Sequence, residues 1–158
     1  MSRVVYNLLD DVRGAAYAKL LQQALSYCGS FILVLRHSID VNESAQSVLN
    51  RLEPFLIRRE ERSEWPGTQL LDETAQVSTF QLSPATATVL AEVAPSLFSW
   101  TQPELPEDLC LLREDGEPWL ATIAHENDAY LVLSFAESAL LIESIPTLSL
   151  QPYQDVGS

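Results

Sequence analysis

The sequence predicts an α+β fold: a mixed or antiparallel sheet with a C-terminal β-meander and about three helices. Three observations carry that expectation. Apolar residues recur at three-to-four spacing in three segments, over 8–28, after Asn42 and after Pro84. Three strand-like runs then follow at close spacing between residues 109 and 135, with turn residues between them. The resulting order, α-β-α-β-β-α-β-β-β, lacks the regular alternation that builds a doubly wound parallel sheet. A chain of 158 residues with 47% hydrophobic and 20% charged content can bury a core as one domain over 1–158. Five Gly and nine Pro are too few for a disordered chain.

Asn7 stands before Leu8, Val12, Ala16, Leu20, Ala24 and Tyr27, with Asp10 and Asp11 where a helix dipole favours acids and Gly29 as the stop. This spacing predicts a helix over 8–28. The run SFILVLR (30–36) reads as a buried central strand. A second helix follows from Asn42, with Ala45, Val48, Leu49 and Leu52 on one face and Pro54 closing it. FLIRREER (55–62) reads as a strand that runs out into solvent, and Pro66-Gly67 has type II turn composition. Residues 76–82 have strand propensity through Val77, Thr79 and Phe80. Ser83-Pro84 is an N-cap followed by proline at the first helical position, opening a helix that Pro95 ends.

The stretch TQPELPED (101–108) reads as a loop. Beyond it lie the runs Leu109 to Arg113, Trp119 to His125 and Ala129 to Phe135. Asp115-Gly116 predicts a two-residue hairpin loop between the first two, and Glu126-Asn127-Asp128 a turn between the others. The closing segment ESALLIESI fits a helix or a strand, and the tail 147–158 reads as irregular.

Cys28 and Cys110 sit in apolar runs with no Cys-x-x-Cys or Cys/His spacing, which predicts two buried free thiols. With an N-terminus whose charges break any signal-peptide core, they predict a cytoplasmic protein. The longest apolar runs, such as FILVL, are far shorter than the roughly 20 residues of a membrane span. Phosphate-cradling glycine motifs and the G-x-S-x-G nucleophile elbow do not occur. His125 and Glu126 form the one local pair with catalytic potential. A metal would need further ligands there, and the residues read instead as a strand end that hydrogen-bonds in a turn, with no catalytic residue, metal or cofactor expected. His37 lacks a cysteine in an electropositive setting to act upon. Arg58, Arg59 and Arg62 alternate with Glu60, Glu61 and Glu64, as on a solvated mixed-charge strand, so nucleic acid is not an expected partner.

Charge is divided unevenly. Residues 1–62 hold eight of the nine basic side chains and seven acids, whereas residues 63–158 hold fifteen acids and only Arg113. Such an excess repels nucleic acid and phosphates and attracts basic partners. The candidate partner-binding set is therefore Glu104, Glu107, Asp108, Glu114, Asp115, Glu117, Trp119, Glu126 and Asp128, with Trp100 and Tyr130 as further candidate anchors. Trp119 also alternates along its strand as a core residue does.

The segment LPEDLCLLREDGEPWLATIAHENDAYLVL (Leu105 to Leu133) resembles a stretch of small acidic bacterial proteins, many of them immunity proteins of contact-dependent or polymorphic toxin systems. LPEDLCLLREDG is also similar to the LP…G region of SUKH-type immunity proteins. The resemblance implies a protein-binding inhibitor, monomer or dimer, whose cognate partner is a basic toxin domain such as a nuclease. The alternatives are a secretion chaperone or adaptor, and an enzyme using His125 and Glu126.

Overall fold

The computed structural model describes residues 2–153. In place of one helix over 8–28, the chain forms strand β1 (Arg3–Leu8) and a shorter helix α1 (Gly14–Ala24). Val4, Val5 and Tyr6 favour extended backbone and find a partner strand at the far end of the chain. Asp11 does not sit in a first helical turn. Its Oδ1 accepts the Val12 N–H at 2.8 Å and the Phe98 N–H at 2.9 Å, which fixes a sharp corner before α1.

Strand β2 (Cys28–Arg36), helix α2 (Glu43–Leu52) and strand β3 (Leu56–Arg62) follow as expected. Asn42 occupies the N-cap position of α2, but its side chain donates to Glu104 Oε1 at 3.0 Å. Two short strands, β4 (Glu64–Trp65) and β5 (Thr68–Gln69), form a hairpin around Pro66-Gly67. Strand β6 (Ala75–Gln81) leads to α3 (Pro84–Val93), whose Ser83 accepts the Thr86 N–H while Thr86 accepts the Ser83 N–H. The meander is β7 (Glu107–Arg113), β8 (Pro118–Ile123) and β9 (Asp128–Ser134). The turn after β7 has three residues, not two: Arg113 N–H donates to Glu117 O across Glu114, Asp115 and a left-handed Gly116.

The ambiguous closing segment is a helix, α4 (Phe135–Ser144), started by a Ser134/Glu137 capping box. Among the described residues there are thus four α-helices, close to the expected about three. The expected irregular tail contains strand β10 (Leu150–Pro152), paired with β1; residues 154–158 of that tail lie outside the described residues.

All pairings in the eight-stranded sheet, ordered β10-β1-β9-β8-β7-β2-β6-β3, are antiparallel. Strand alternation sends Phe31, Leu33, Phe80, Leu109, Leu111 and Leu131 to one face. There they pack against Tyr17, Leu20, Leu52, Leu90 and Leu141 of the four helices. Their neighbours Ile32, Val34, Val77, Cys110, Leu112 and Ala121 point the other way and form a second, smaller cluster. Among the described residues, no helical side chain belongs to that cluster. The β4–β5 hairpin lies over it as a strap, with Trp65 buried at its centre.

The strap comes close to the sheet at Gly67, where φ is +88° and a Cβ would stand 2.9 Å from Ile123 Cδ1. Gly116 has nearly the same φ, +89°, with open space around it. Gly67→Ala is therefore expected to cost about 1–2 kcal/mol more than Gly116→Ala, since both carry backbone strain and one also carries a clash. Urea midpoints of the two variants measure the difference. Equal midpoints would mean that the strap does not rest on Ile123.

Candidate functional site

Beneath the strap, two adjacent carboxylates are buried in the sheet. Strand β7 begins at Glu107, earlier than the apolar run predicts, and Asp108 has a left-handed φ of 55°. That conformation breaks the alternation of the strand, and the β2–β7 register shifts at the same place. Glu107 and Asp108 thus reach one cluster with His125, their ligating atoms all within 4.8 Å of one another.

Asp108 acts as a clasp. Its Oδ2 accepts Trp65 Nε1–H at 3.0 Å, and its Oδ1 accepts the Ala124 N–H at 3.2 Å. The second bond holds Ala124–Glu126 in a 3₁₀ turn, so β8 ends at Ile123 and the strand expected to reach His125 stops short of it. Glu107 Oε1 accepts the Gln102 N–H at 3.3 Å, while Oε2 faces Arg36 Nε at 3.4 Å and His125 Nδ1 at 3.6 Å. The Arg36 guanidinium lies 5.7 Å from the Trp65 ring centre, a cation–π contact. Gln102 clips the end of β2 by accepting the Arg36 N–H at 2.7 Å and donating to Arg36 O and Ile39 O.

Burial pushes the Glu107 carboxyl up, and the neighbouring Asp108 charge adds to the shift. Burial likewise raises Asp108, against the pull of the Trp65 hydrogen bond. Chemically the cluster can share a proton or hold a cation. His125 is its solvent-facing member, with Nε2 3.9 Å from Glu126.

This arrangement corrects the expected partner-binding set. Glu107, Asp108 and Trp119 are buried and offer no contact surface. Trp119 stacks on Tyr27 at 5.9 Å, and Trp100 donates to the Tyr17 hydroxyl inside the helical core, so neither is a surface anchor. Tyr130 is half-buried beside Gly67. Glu104, Glu114, Asp115, Glu117, Glu126 and Asp128 are exposed, but the antiparallel topology divides them between two ends of the sheet.

One end collects Glu104 before β7, Glu126 after β8 and Asp128 at the start of β9. Because β1 and β2 finish at this end and β6 starts there, it also carries Asp10, Asp40, Glu43, Asp72 and Glu73, all exposed. The other end carries Glu114, Asp115 and Glu117 beside Arg3, whose Nη1 is 3.9 Å from Asp115 Oδ2. The excess of acid is therefore a pole of the fold, drawn from both halves of the sequence. Five of these eight acids come from the acidic second half and three, Asp10, Asp40 and Glu43, from the nearly neutral first.

Both cysteines are free and buried, and burial pushes both thiols up to about 12, where neither is a nucleophile. None of the five surface clefts described is lined by Glu107, Asp108, His125 or Glu126.

Arg113, the single basic residue of the second half, is itself buried and donates to both oxygens of Glu137 at 2.9 and 2.8 Å. These bonds hold the Glu137 carboxyl below its usual range. A carboxyl depressed in the folded state contributes stability above its unfolded pKa, about 4.3, and that stability is lost as pH falls through the folded value. Glu137→Gln keeps the helix cap but removes the charge. It should cost about 2 kcal/mol at pH 7 and progressively less as the solution is acidified below about pH 4. Urea titrations across that range test this, and a cost independent of pH would contradict it.

Compared with protein-family models, with curated proteins and with solved structures, the chain shows no significant match.

Proposed function

We propose that this chain is a protein-binding inhibitor, an immunity protein that neutralises a bacterial toxin in the cytoplasm by covering the active site of a basic toxin domain such as a nuclease. The supporting observation is the acidic pole. Beyond Glu60 and Glu61, which neighbour Arg62 and His37, eight exposed carboxylates stand at one end of the sheet, against Arg36, which is engaged by Glu107, and Arg13, which neighbours Asp11. A field of that sign reaches about 8 Å at physiological salt and can raise association toward roughly 10⁸ M⁻¹s⁻¹ at low salt. A toxin active while free must be captured quickly, and an inhibitor that acts by coverage needs no chemistry of its own. Among the expected contact residues, Glu104, Glu126 and Asp128 lie on this pole, and these are the ones assigned to the contact.

Co-expression with the product of the adjacent gene tests the reading. A one-to-one complex that restores growth and associates more slowly as salt is added is the expected result. A complex whose association ignores salt, or no complex and no protection, would count against it.

A second reading, a secretion chaperone or adaptor, draws support from α4. Phe135 (80% exposed), Leu140 (53%) and Ile142 (43%) are all exposed there; Phe135 and Ile142, seven apart, share one flank and Leu140 lies on the other, apolar surface available for self-association. A stable dimer in solution would favour the chaperone, and a monomer the inhibitor. No helix is long and apolar enough to cross a membrane among the described residues.

A further inference from the structure

We propose that Glu107, Asp108 and His125 form a binding site for one divalent transition-metal ion, with zinc the best fit, held between the start of β7 and the turn that follows β8. The proposal is independent of the inhibitor reading. Proximity of acids alone would not carry it. The deciding feature is Glu107 Oε2, which belongs to a side chain only 2% exposed and accepts no hydrogen bond.

Arg36 Nε is the nearest donor at 3.4 Å, yet it too is buried and makes no hydrogen bond. The two charges pair across 3.4 Å but make no hydrogen bond, which leaves a lone pair of buried Oε2 unused, and a cation between Oε2 and His125 Nδ1 would satisfy it. Arg36 need not leave the site, because its guanidinium already rests on the Trp65 ring. Asp108 keeps a free lone pair on each oxygen after accepting from Trp65 and Ala124. Those two bonds fix the orientation of the carboxylate, as outer partners do in metal sites.

The donor set selects the ion. One imidazole and two carboxylates suit zinc and its first-row neighbours, whereas calcium and magnesium take oxygen ligands alone and more of them. His125 is 38% exposed at its side chain, which gives the ion an entrance and leaves its remaining coordination positions to water. Among the described residues this is the one group of three or more His, Cys, Asp or Glu side chains that converge in this way.

The full chain, stripped with a chelator, should be titrated calorimetrically with zinc chloride. Saturation at one ion per chain is expected, with a rise in the thermal midpoint. His125→Ala, at a side chain 38% exposed, should weaken binding at least about tenfold and abolish the thermal shift. Glu107→Gln should weaken it as well. His37→Ala, which breaks the exposed His37–Glu61 pair, should change neither quantity. The site is overturned if zinc gives no saturable binding, if His125→Ala binds it as tightly as the parent, or if binding is lost in His37→Ala instead.

Discussion

Trp65→Ala should lower the stability of the fold by about 4 kcal/mol, in the range for removing a buried tryptophan, although the side chain sits on a two-strand hairpin outside the main sheet. Three losses combine. The indole leaves a cavity over Ile32, Val34, Val77 and Leu112, Arg36 loses the ring beneath its guanidinium, and Asp108 loses the hydrogen bond that partly offsets its burial. Trp65→Phe separates these terms. It keeps most of the packing and the cation–π face and should cost about 1–2 kcal/mol for the missing donor. Urea unfolding gives both numbers, and amide exchange in β2, β6 and β7 should report faster opening in Trp65→Ala alone. If Trp65→Ala cost less than about 1 kcal/mol, the strap would be a loose cover that opens without the rest of the fold, and Asp108 could not be its clasp.

What the sequence could and could not show follows from the range of each interaction. Strand β2, helices α2 and α3 and the meander rest on local pattern: a branched apolar run, three-to-four spacing, the Ser83-Pro84 start, turn residues at 115–116 and 126–128. Helix α4 also has a local signal, one that settles its ambiguous apolar run. Ser134 and Glu137 stand at the capping-box spacing immediately before it. Strands β1 and β10 have none, because each exists through pairing with residues more than a hundred positions away. The same limit governs the site. Glu107 and Asp108 end a stretch rich in proline and acid, the composition of a solvated loop, and their burial depends on Trp65, Arg36 and the Ala124 N–H, none of them near in sequence. Charge along the chain shows the excess of acid but not where the fold gathers it. Antiparallel pairing sends alternate chain ends to the same pole, so Asp10, Asp40 and Glu43 of the nearly neutral half join Glu126 and Asp128.

The acidic pole yields a test in which total charge is held constant. Glu104→Gln, Glu126→Gln and Asp128→Asn together should slow association with a basic partner roughly 100-fold at low salt and flatten its salt dependence. Glu114→Gln, Asp115→Asn and Glu117→Gln remove the same charge from the opposite end and should change the rate only a few-fold. Both triple variants keep their local structure, because each new amide retains a carbonyl oxygen. The amide at position 104 can still accept from Asn42, and those at positions 128 and 115 can still accept the N–H groups of Ala129 and Glu117. Neither variant should move the unfolding midpoint much, because exposed turn acids contribute little stability. The contrast turns on position alone. A field that steers a partner acts through the face that meets it, whereas a field that merely keeps the protein soluble acts through the sum. If the two variants associate at equal rates with equal salt slopes, the pole is a solubility device, and the inhibitor reading loses the observation on which it stands.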